Sequence, residues 1–270
     1  MPRRPDKAAG PAAGRPVRKA TGTSLNRIFS KLGIASRSEA DRLIRAGRVT
    51  VNGRCITDPE LRVDMEAVTV ALDGERLSAE APVYLMVNKP RGLVTTLSDP
   101  EGRDTIYRCL EGMDLPHVSP VGRLDKASEG LILMTNDTLF AQALLDPQTG
   151  PQKLYHVQVD RVPDAQELAR MVRGVEDRGD LLSAASAILL RSGGRTAWLE
   201  IALDEGRNRQ IRRLLGALGI DVLRLVRVAI GPLALGTLGK GEARHLTSGE
   251  RAALGIGGNS SHPIREPEFR

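Results

Sequence analysis

Leu25, Ile28, Phe29 and Leu32 fall at i, i+3, i+4 and i+7, one stripe of an amphipathic helix closed by Gly33. A second helix follows: Ser36 and Glu39 have capping-box spacing, Ala40, Leu43 and Ile44 form an inner face, and Gly47 sits at its end. The period then drops to two. Val49 and Val51 lead into Asn52-Gly53, a hairpin turn signal, with a partner strand expected near Ile56 or over 68–72. Polar residues and prolines over 73–82 predict a linker.

Beyond it the pattern predicts a strand over 83–87, a turn over 88–92 and a buried strand over 131–135. A helix is expected over Thr138–Leu145, then a strand over Lys153–Val159 in which Tyr155, Val157 and Val159 share one face. Asp164 and Glu167 open another helix as a capping box. Ala197–Leu203 is an apolar strand, 207–218 a helix with Ile211, Leu214, Leu215 and Leu218 inward, and Val222–Ile230 a further strand. Strands and helices do not alternate regularly, so the fold class is mixed α+β and not a doubly wound parallel sheet.

Length and charge sharpen this picture. A chain of 270 residues has room for a small part and a large one, each with its own core. Of the net charge of +6, five units sit in residues 1–23, where Arg3, Arg4, Lys7, Arg15, Arg18 and Lys19 face Asp6 alone. That segment, rich in Ala, Gly and Pro, predicts a disordered basic tail. The nearly neutral body keeps two basic segments, 24–54 and 207–213. The first carries seven cations against Glu39 and Asp41, as either a solvated face or an anion-binding one.

Cys55 and Cys109 are too few for a disulfide framework and the four histidines lack metal-ligand spacing, so reduced cysteines and no metal are expected. No stretch approaches the roughly 18 apolar residues of a membrane span, so no membrane partner and a cytoplasmic location are expected.

The strongest chemical signal is Asp125, within Gly-Arg-Leu-Asp-Lys-Ala-Ser-Glu-Gly at 122–130, at the mouth of an apolar strand and beside cations. Such a carboxylate serves as a turn residue and ion-pair partner, or as a nucleophile or base. Arg207, Arg209, Arg212 and Arg213 surround one helical turn, binding phosphates or solubilising the helix. Arg212, beside the buried stripe, is best placed to reach inward, and Asp125 is the carboxylate expected to meet it. Tyr155 is a core residue or a platform for an extruded base, and Lys153, on the same face, is equally open.

Two resemblances bear on these alternatives. The run from Leu25 to Gly53 resembles the alpha-L, or ribosomal protein S-four type, RNA-binding module. Asn-Lys-Pro-Arg-Gly (88–92), Gly-Arg-Leu-Asp-Lys-Ala-Ser-Glu-Gly-Leu (122–131), Lys-Leu-Tyr (153–155), Glu-Gly-Arg-Asn-Arg-Gln-Ile-Arg-Arg (205–213) and Arg-Val-Ala-Ile-Gly-Pro-Leu (227–233) resemble, in order, the RsuA-like ribosomal RNA pseudouridine synthases.

The resemblance implies an RNA-binding module over 24–80, a catalytic domain over 82–250 built on a largely antiparallel sheet with a central cleft, and a flexible tail over 251–270. It implies a cofactor-free, metal-free isomerase converting uridine to pseudouridine in ribosomal RNA, with the large subunit favoured and the small subunit open. Asp125, Tyr155 and Arg212 become the catalytic residues. Arg123, Lys153, Arg207 and Arg209 in the cleft, with Arg27, Arg37, Arg42, Arg45 and Arg48 in the module, become RNA contacts. A monomer is expected. The rival reading is a non-catalytic RNA-binding or ribosome-assembly protein on the same scaffold.

Overall fold

The computed structural model describes residues 22–78 and 80–255. The tails expected over 1–23 and 251–270 therefore lie outside the described residues except at their inner ends. There Thr23 pairs in a short strand and a helix runs through Ala253. The described residues fall into two compact units. One holds Arg37–Leu77 with the stretch up to Ile28, and the other holds Phe29–Ser36 with the chain from Ser78 onward.

The first elements are β1 (Thr23–Ser24), α1 (Leu25–Lys31), α2 (Arg37–Arg45), β2 (Val49–Val51), β3 (Arg54–Ile56), β4 (Arg62–Val63), β5 (Val70–Leu72) and β6 (Glu75–Arg76). Leu25, Ile28 and Phe29 on α1 and Ala40 and Ile44 on α2 are buried, as the helical period requires. Asn52 and Gly53 are both left-handed, at φ 49° and 77°, the conformation of a two-residue hairpin turn between β2 and β3. Both anticipated partner strands exist, in the antiparallel order β3-β2-β5-β6. The linker expected from 73 starts too early: Asp73 and Gly74 make a second left-handed turn, and Glu75–Arg76 returns against Ala71 and Leu72.

The second unit carries β7 (Tyr84–Lys89), β8 (Ser119–Val121), β9 (Glu129–Thr135), α3 (Thr138–Leu145), β10 (Lys153–Val159), α4 (Ala165–Arg173), β11 (Val175–Asp177), β12 (Asp180–Leu182) and β13 (Ser186–Ser192). It continues with β14 (Ala197–Leu203), α5 (Gln210–Gly216), β15 (Val222–Ile230), β16 (Leu233–Ala234), β17 (Ala243–His245) and α6 (Ser248–Ala253). Among the described residues these build a nine-stranded sheet in the order β13-β14-β10-β15-β9-β7-β17, with β16 on β15 and β8 on β9. Its pairings are antiparallel except for β15 beside β9. That parallel pair brings residues nearly one hundred positions apart to the middle of the sheet.

Burial explains the two kinds of strand pattern. β9 is covered on both faces, Ile132 and Met134 packing into one apolar cluster and Leu131 and Leu133 into the other, so it reads as an unbroken apolar run. β10 buries Tyr155, Val157 and Val159 but leaves the alternate positions half-exposed, so it reads with a period of two.

Several ends are fixed by side chains. Asp137 caps α3, accepting from the amides of Leu139 and Phe140. Complete capping boxes open α4 (Asp164, Glu167) and α6 (Thr247, Glu250). Arg161 hydrogen-bonds Glu167 and Arg244 hydrogen-bonds Glu250, and these charge-assisted bonds lead in holding both carboxyls down to about 2 from the ordinary 4.5. A depressed carboxyl stabilises the fold above its unfolded value, and that contribution is lost as the pH falls through the folded one. Replacing Glu167 or Glu250 by Gln is therefore expected to lower the melting temperature at pH 7, with the difference from the parent shrinking between pH 4.5 and about 2. Thermal melts across that range check it, and a difference independent of pH would count against the two ion pairs.

Candidate active site

Asp125 lies in the loop between β8 and β9, and this loop is clamped from below. Strand β7 runs two residues further than the apolar run predicts and buries Lys89 completely. Its ammonium donates to the carbonyls of Ser128 (2.8 Å), Asp125 (3.1 Å) and Pro90 (3.2 Å). Burial pulls the Lys89 pKa down to about 8, partly offset by the negative groups around it, Asp125 and Glu129 among them. Thr95 adds a second clamp, its hydroxyl donating to Leu124 O at 2.7 Å. Leu124 is buried beneath the loop and Ser128 N closes the turn on Asp125 O at 2.9 Å. The backbone at Asp125 is thus fixed while its carboxylate stays about one-third exposed.

The carboxylate opens into a cavity of about 220 Å³ lined by Arg123, Lys153, Tyr155, Arg207, Arg209, Arg212 and Arg227. This is below the roughly 300–1,000 Å³ of drug-sized pockets, room for a small polar group. Tyr155 is buried in β10, directly between Ile201 of β14 and Arg227 of β15. Lys153 lines the same cavity, and its pKa is lowered by burial and then by the Arg227 charge, against a smaller pull from Asp204.

The ion pair expected between Asp125 and Arg212 is made instead by Arg209, Nη1 to Oδ2 at 3.3 Å. The reason lies in the turn before the helix. Helix α5 starts at Gln210, not at 207, because Gln210 is buried and locks the preceding turn. Its side chain accepts from Arg207 N (3.0 Å) and donates to Ser183 O and Glu205 Oε1, both at 3.0 Å. Arg209 then sits at the helix cap in the left-handed region, φ 50°, where a side chain is seldom held without cause. That backbone turns its guanidinium to the carboxylate.

Arg212 reaches inward as anticipated but donates to the carbonyls of Val222 (3.2 Å) and Ala127 (3.3 Å). Burial and the Arg209 charge lower its pKa, and Asp125 pulls the other way, so it feels the carboxylate without bonding to it. Arg213 turns away to Asp177 (2.6 Å) and Asp180 (2.7 Å), tying α5 to the hairpin β11–β12. Arg207 is exposed and bonded to Glu205 at 2.9 Å, and Arg123 is exposed at the cavity rim.

Of the module arginines, all five are exposed. Arg42 pairs with Glu39, and Arg48 holds Asp73 through Nε at 2.9 Å, so both enter any RNA contact already partnered.

Lys89 and Arg227 are the site residues the sequence reading missed. Lys89 stands in an Asn-Lys-Pro run that reads as a turn. Arg227 carried a visible signal: on β15 it shares parity with Leu225, on the inward side. It is buried, and its Nε donates to Leu131 O at 2.6 Å across the parallel pair. Among the described residues there is no cluster of His, Cys, Asp and Glu fit to hold a metal, and no helix is long and apolar enough to cross a membrane.

Comparisons with known proteins cover both units. Residues 83–217 match the family described as RNA pseudouridylate synthase, and residues 25–68 match the S4 domain. The chain is 38% identical over 232 residues to an uncharacterized RNA pseudouridine synthase of Aquifex aeolicus, covering 85% of this chain and 92% of that one. It is 33% identical over 228 residues to the ribosomal large subunit pseudouridine synthase B of Bacillus subtilis, covering 84% and 93%. A solved structure described as pseudouridylate synthase superposes with a TM-score of 0.61 at 28% identity, covering 86% of this chain and all of that one.

Proposed function

The chain belongs to the RNA pseudouridylate synthase family and carries an S4 domain, and we propose that it isomerises a specific uridine of large-subunit ribosomal RNA with Asp125 as the reacting carboxylate. The observation that carries the reading is the clamped loop that holds Asp125 at a cavity walled by Tyr155 and cations. Relatives named for the large subunit, in Bacillus subtilis and Haemophilus influenzae, support the choice of RNA. Work on ribosomal RNA supports a cytoplasmic location.

The reaction needs little beyond these groups. The N1–C1′ bond breaks, the uracil turns, C5 bonds to C1′ and loses its proton, and N1 gains one, so substrate and product have the same composition. Asp125 serves either by adding to C1′ or by taking the neighbouring ribose proton. Either role needs one free oxygen, and Arg209, bonded to Oδ2 alone, leaves Oδ1 for it or passes to an RNA phosphate. A half-exposed pair of this kind is worth about 0–1 kcal/mol, and an RNA phosphate competes for the same guanidinium. Arg212, held by two carbonyls, stays behind as the fixed positive neighbour.

The uridine must leave its stack to reach the cavity, at a cost of a few kcal/mol. Stacking on Tyr155 and phosphate contacts from Arg123 and Arg207 offset that cost. In the module, Arg27, Arg37, Arg42, Arg45 and Arg48 add sequence-independent phosphate contacts.

Incubating the full chain with unmodified large- and small-subunit ribosomal RNAs, then labelling pseudouridine with a carbodiimide and mapping stops by primer extension, tests the substrate. A discrete new stop in the large-subunit RNA is expected. A stop confined to the small-subunit RNA would overturn the choice of subunit, and none in either would overturn the choice of RNA.

A further inference from the structure

Arg227 is buried to 6% exposure, yet its Nη2 has no hydrogen-bond partner and its guanidinium makes no ion pair among the described residues. Arginine is almost never buried without a partner, and leaving such a group unsatisfied is costly. The arrangement is built rather than incidental. Between Tyr155 and Leu154 the register with β15 slips, Tyr155 facing Arg227 and Leu154 facing Ala229, so Val228 is an extra residue. A bulge of this kind re-aims the neighbouring side chain. It sets Arg227 opposite Tyr155, and both line the cavity that Lys153 also lines. Two cations in the wall of one cavity, one of them carrying a buried donor without a partner, mark a subsite for a hydrogen-bond acceptor.

Resting on the reading of the cavity as a uridine site, we infer that Arg227 and Lys153 form the base-reading subsite, donating to a uracil carbonyl and so selecting uridine over cytidine. Uracil suits a donor-only subsite for a particular reason. A half-turn about the N3–C6 axis, the turn that carries C5 into the place of N1, also exchanges O2 with O4. The subsite therefore meets a carbonyl acceptor both before and after the turn, and it holds the detached ring without choosing a face. Cytosine presents its amino group in one of the two orientations. There the buried Arg227 and the half-buried Lys153 meet a donor, and a site built for an acceptor rejects such a base strongly. Lys153 strengthens the case: burial and the Arg227 charge both disfavour its protonated form, and a carbonyl shared with Arg227 relieves both.

The test uses the full chain and RNA carrying uridine, 2-thiouridine or 4-thiouridine at the mapped target, under single turnover. Sulfur is a poorer acceptor than oxygen. Each thio substitution is expected to slow the parent chain about ten- to a hundredfold, the range of one hydrogen bond to a charged group. In Arg227→Gln and in Lys153→Met, uridine turnover should fall while the thio penalty shrinks to within about threefold. Because Arg227 also bonds Leu131 O, a melt of each variant separates misfolding from lost recognition, and Lys153→Met, which removes no side-chain hydrogen bond or ion pair among the described residues, reads the effect if Arg227→Gln does not fold.

Thio penalties absent in the parent, or undiminished in a folded variant, would overturn the proposal. Undiminished penalties with a shallower salt dependence of RNA binding would assign the two cations to phosphate instead. A parent chain that fails to convert uridine at all would refute the uridine-site reading itself, which is a different result.

Discussion

Asparagine in place of Asp125 is expected to abolish conversion at the mapped uridine, lowering the single-turnover rate by roughly four orders of magnitude or more, as when the reacting group of an enzyme is removed. RNA affinity should stay within about threefold of the parent or rise slightly, because one negative charge leaves a site that binds through many phosphate contacts. The substitution is nearly isosteric. The loop is held through its backbone, by Lys89 and Ser128 on Asp125 O and by Thr95 on Leu124, and none of these bonds involves the carboxylate. What is lost is the pair with Arg209 and the reacting oxygen itself. Filter binding and the rate of appearance of primer-extension stops separate the two effects. Weakened binding in step with turnover would mean that Asp125 holds the RNA site together and does not react.

Gly130→Ala should be the most damaging small substitution in the sheet. Gly130 lies opposite Arg227 where β9 and β15 run parallel, at φ 103°. An added Cβ would stand 2.2 Å from Arg227 O and 2.7 Å from its N, backbone atoms that cannot swing aside. The disallowed φ and the overlap together should cost about 3 kcal/mol or more. For a chain of this size that is a drop of roughly 6–12 °C in the transition of the second unit. Turnover should fall even well below the melting temperature, since the same contact sets Arg227 against the cavity and joins the Asp125 loop to the rest of the sheet. A melting temperature within a degree or two of the parent would contradict the close approach of the two strands.

Local signals in the chain carried much of the fold, and the limits of that reading are physical. The helical stripes of α1 and α2, the Asn52-Gly53 hairpin, and the Asp164–Glu167 capping box depend on neighbours within a few residues, and each forms as its spacing predicts. Asp125, Tyr155, Arg212 and Lys153 all reach the one cavity.

The ion pair was misplaced because the periodicity of 207–218 extends the helix backward through Arg207 and Arg209. Only the tertiary bonds of Gln210 to Ser183 and Glu205 reveal the turn that ends it there. The role of Lys89 was unreadable for a related reason: a lysine beside a proline looks like a turn until two carbonyls of a distant loop join that of Pro90 around its ammonium. The parallel pairing of β9 with β15 depends on residues nearly one hundred positions apart and leaves no trace in local pattern, although Gly130 is the residue that permits it.

The central claim is that the Asp125 carboxylate moves the ribose from N1 to C5 of uracil. It is tested most directly by tritium release from large-subunit ribosomal RNA labelled at uracil C5. The parent chain should release one tritium for each pseudouridine formed, with no change in RNA mass beyond the isotope exchanged, and Asp125→Asn should release none above background. Release at the parent rate from the folded Asp125→Asn chain would contradict the account.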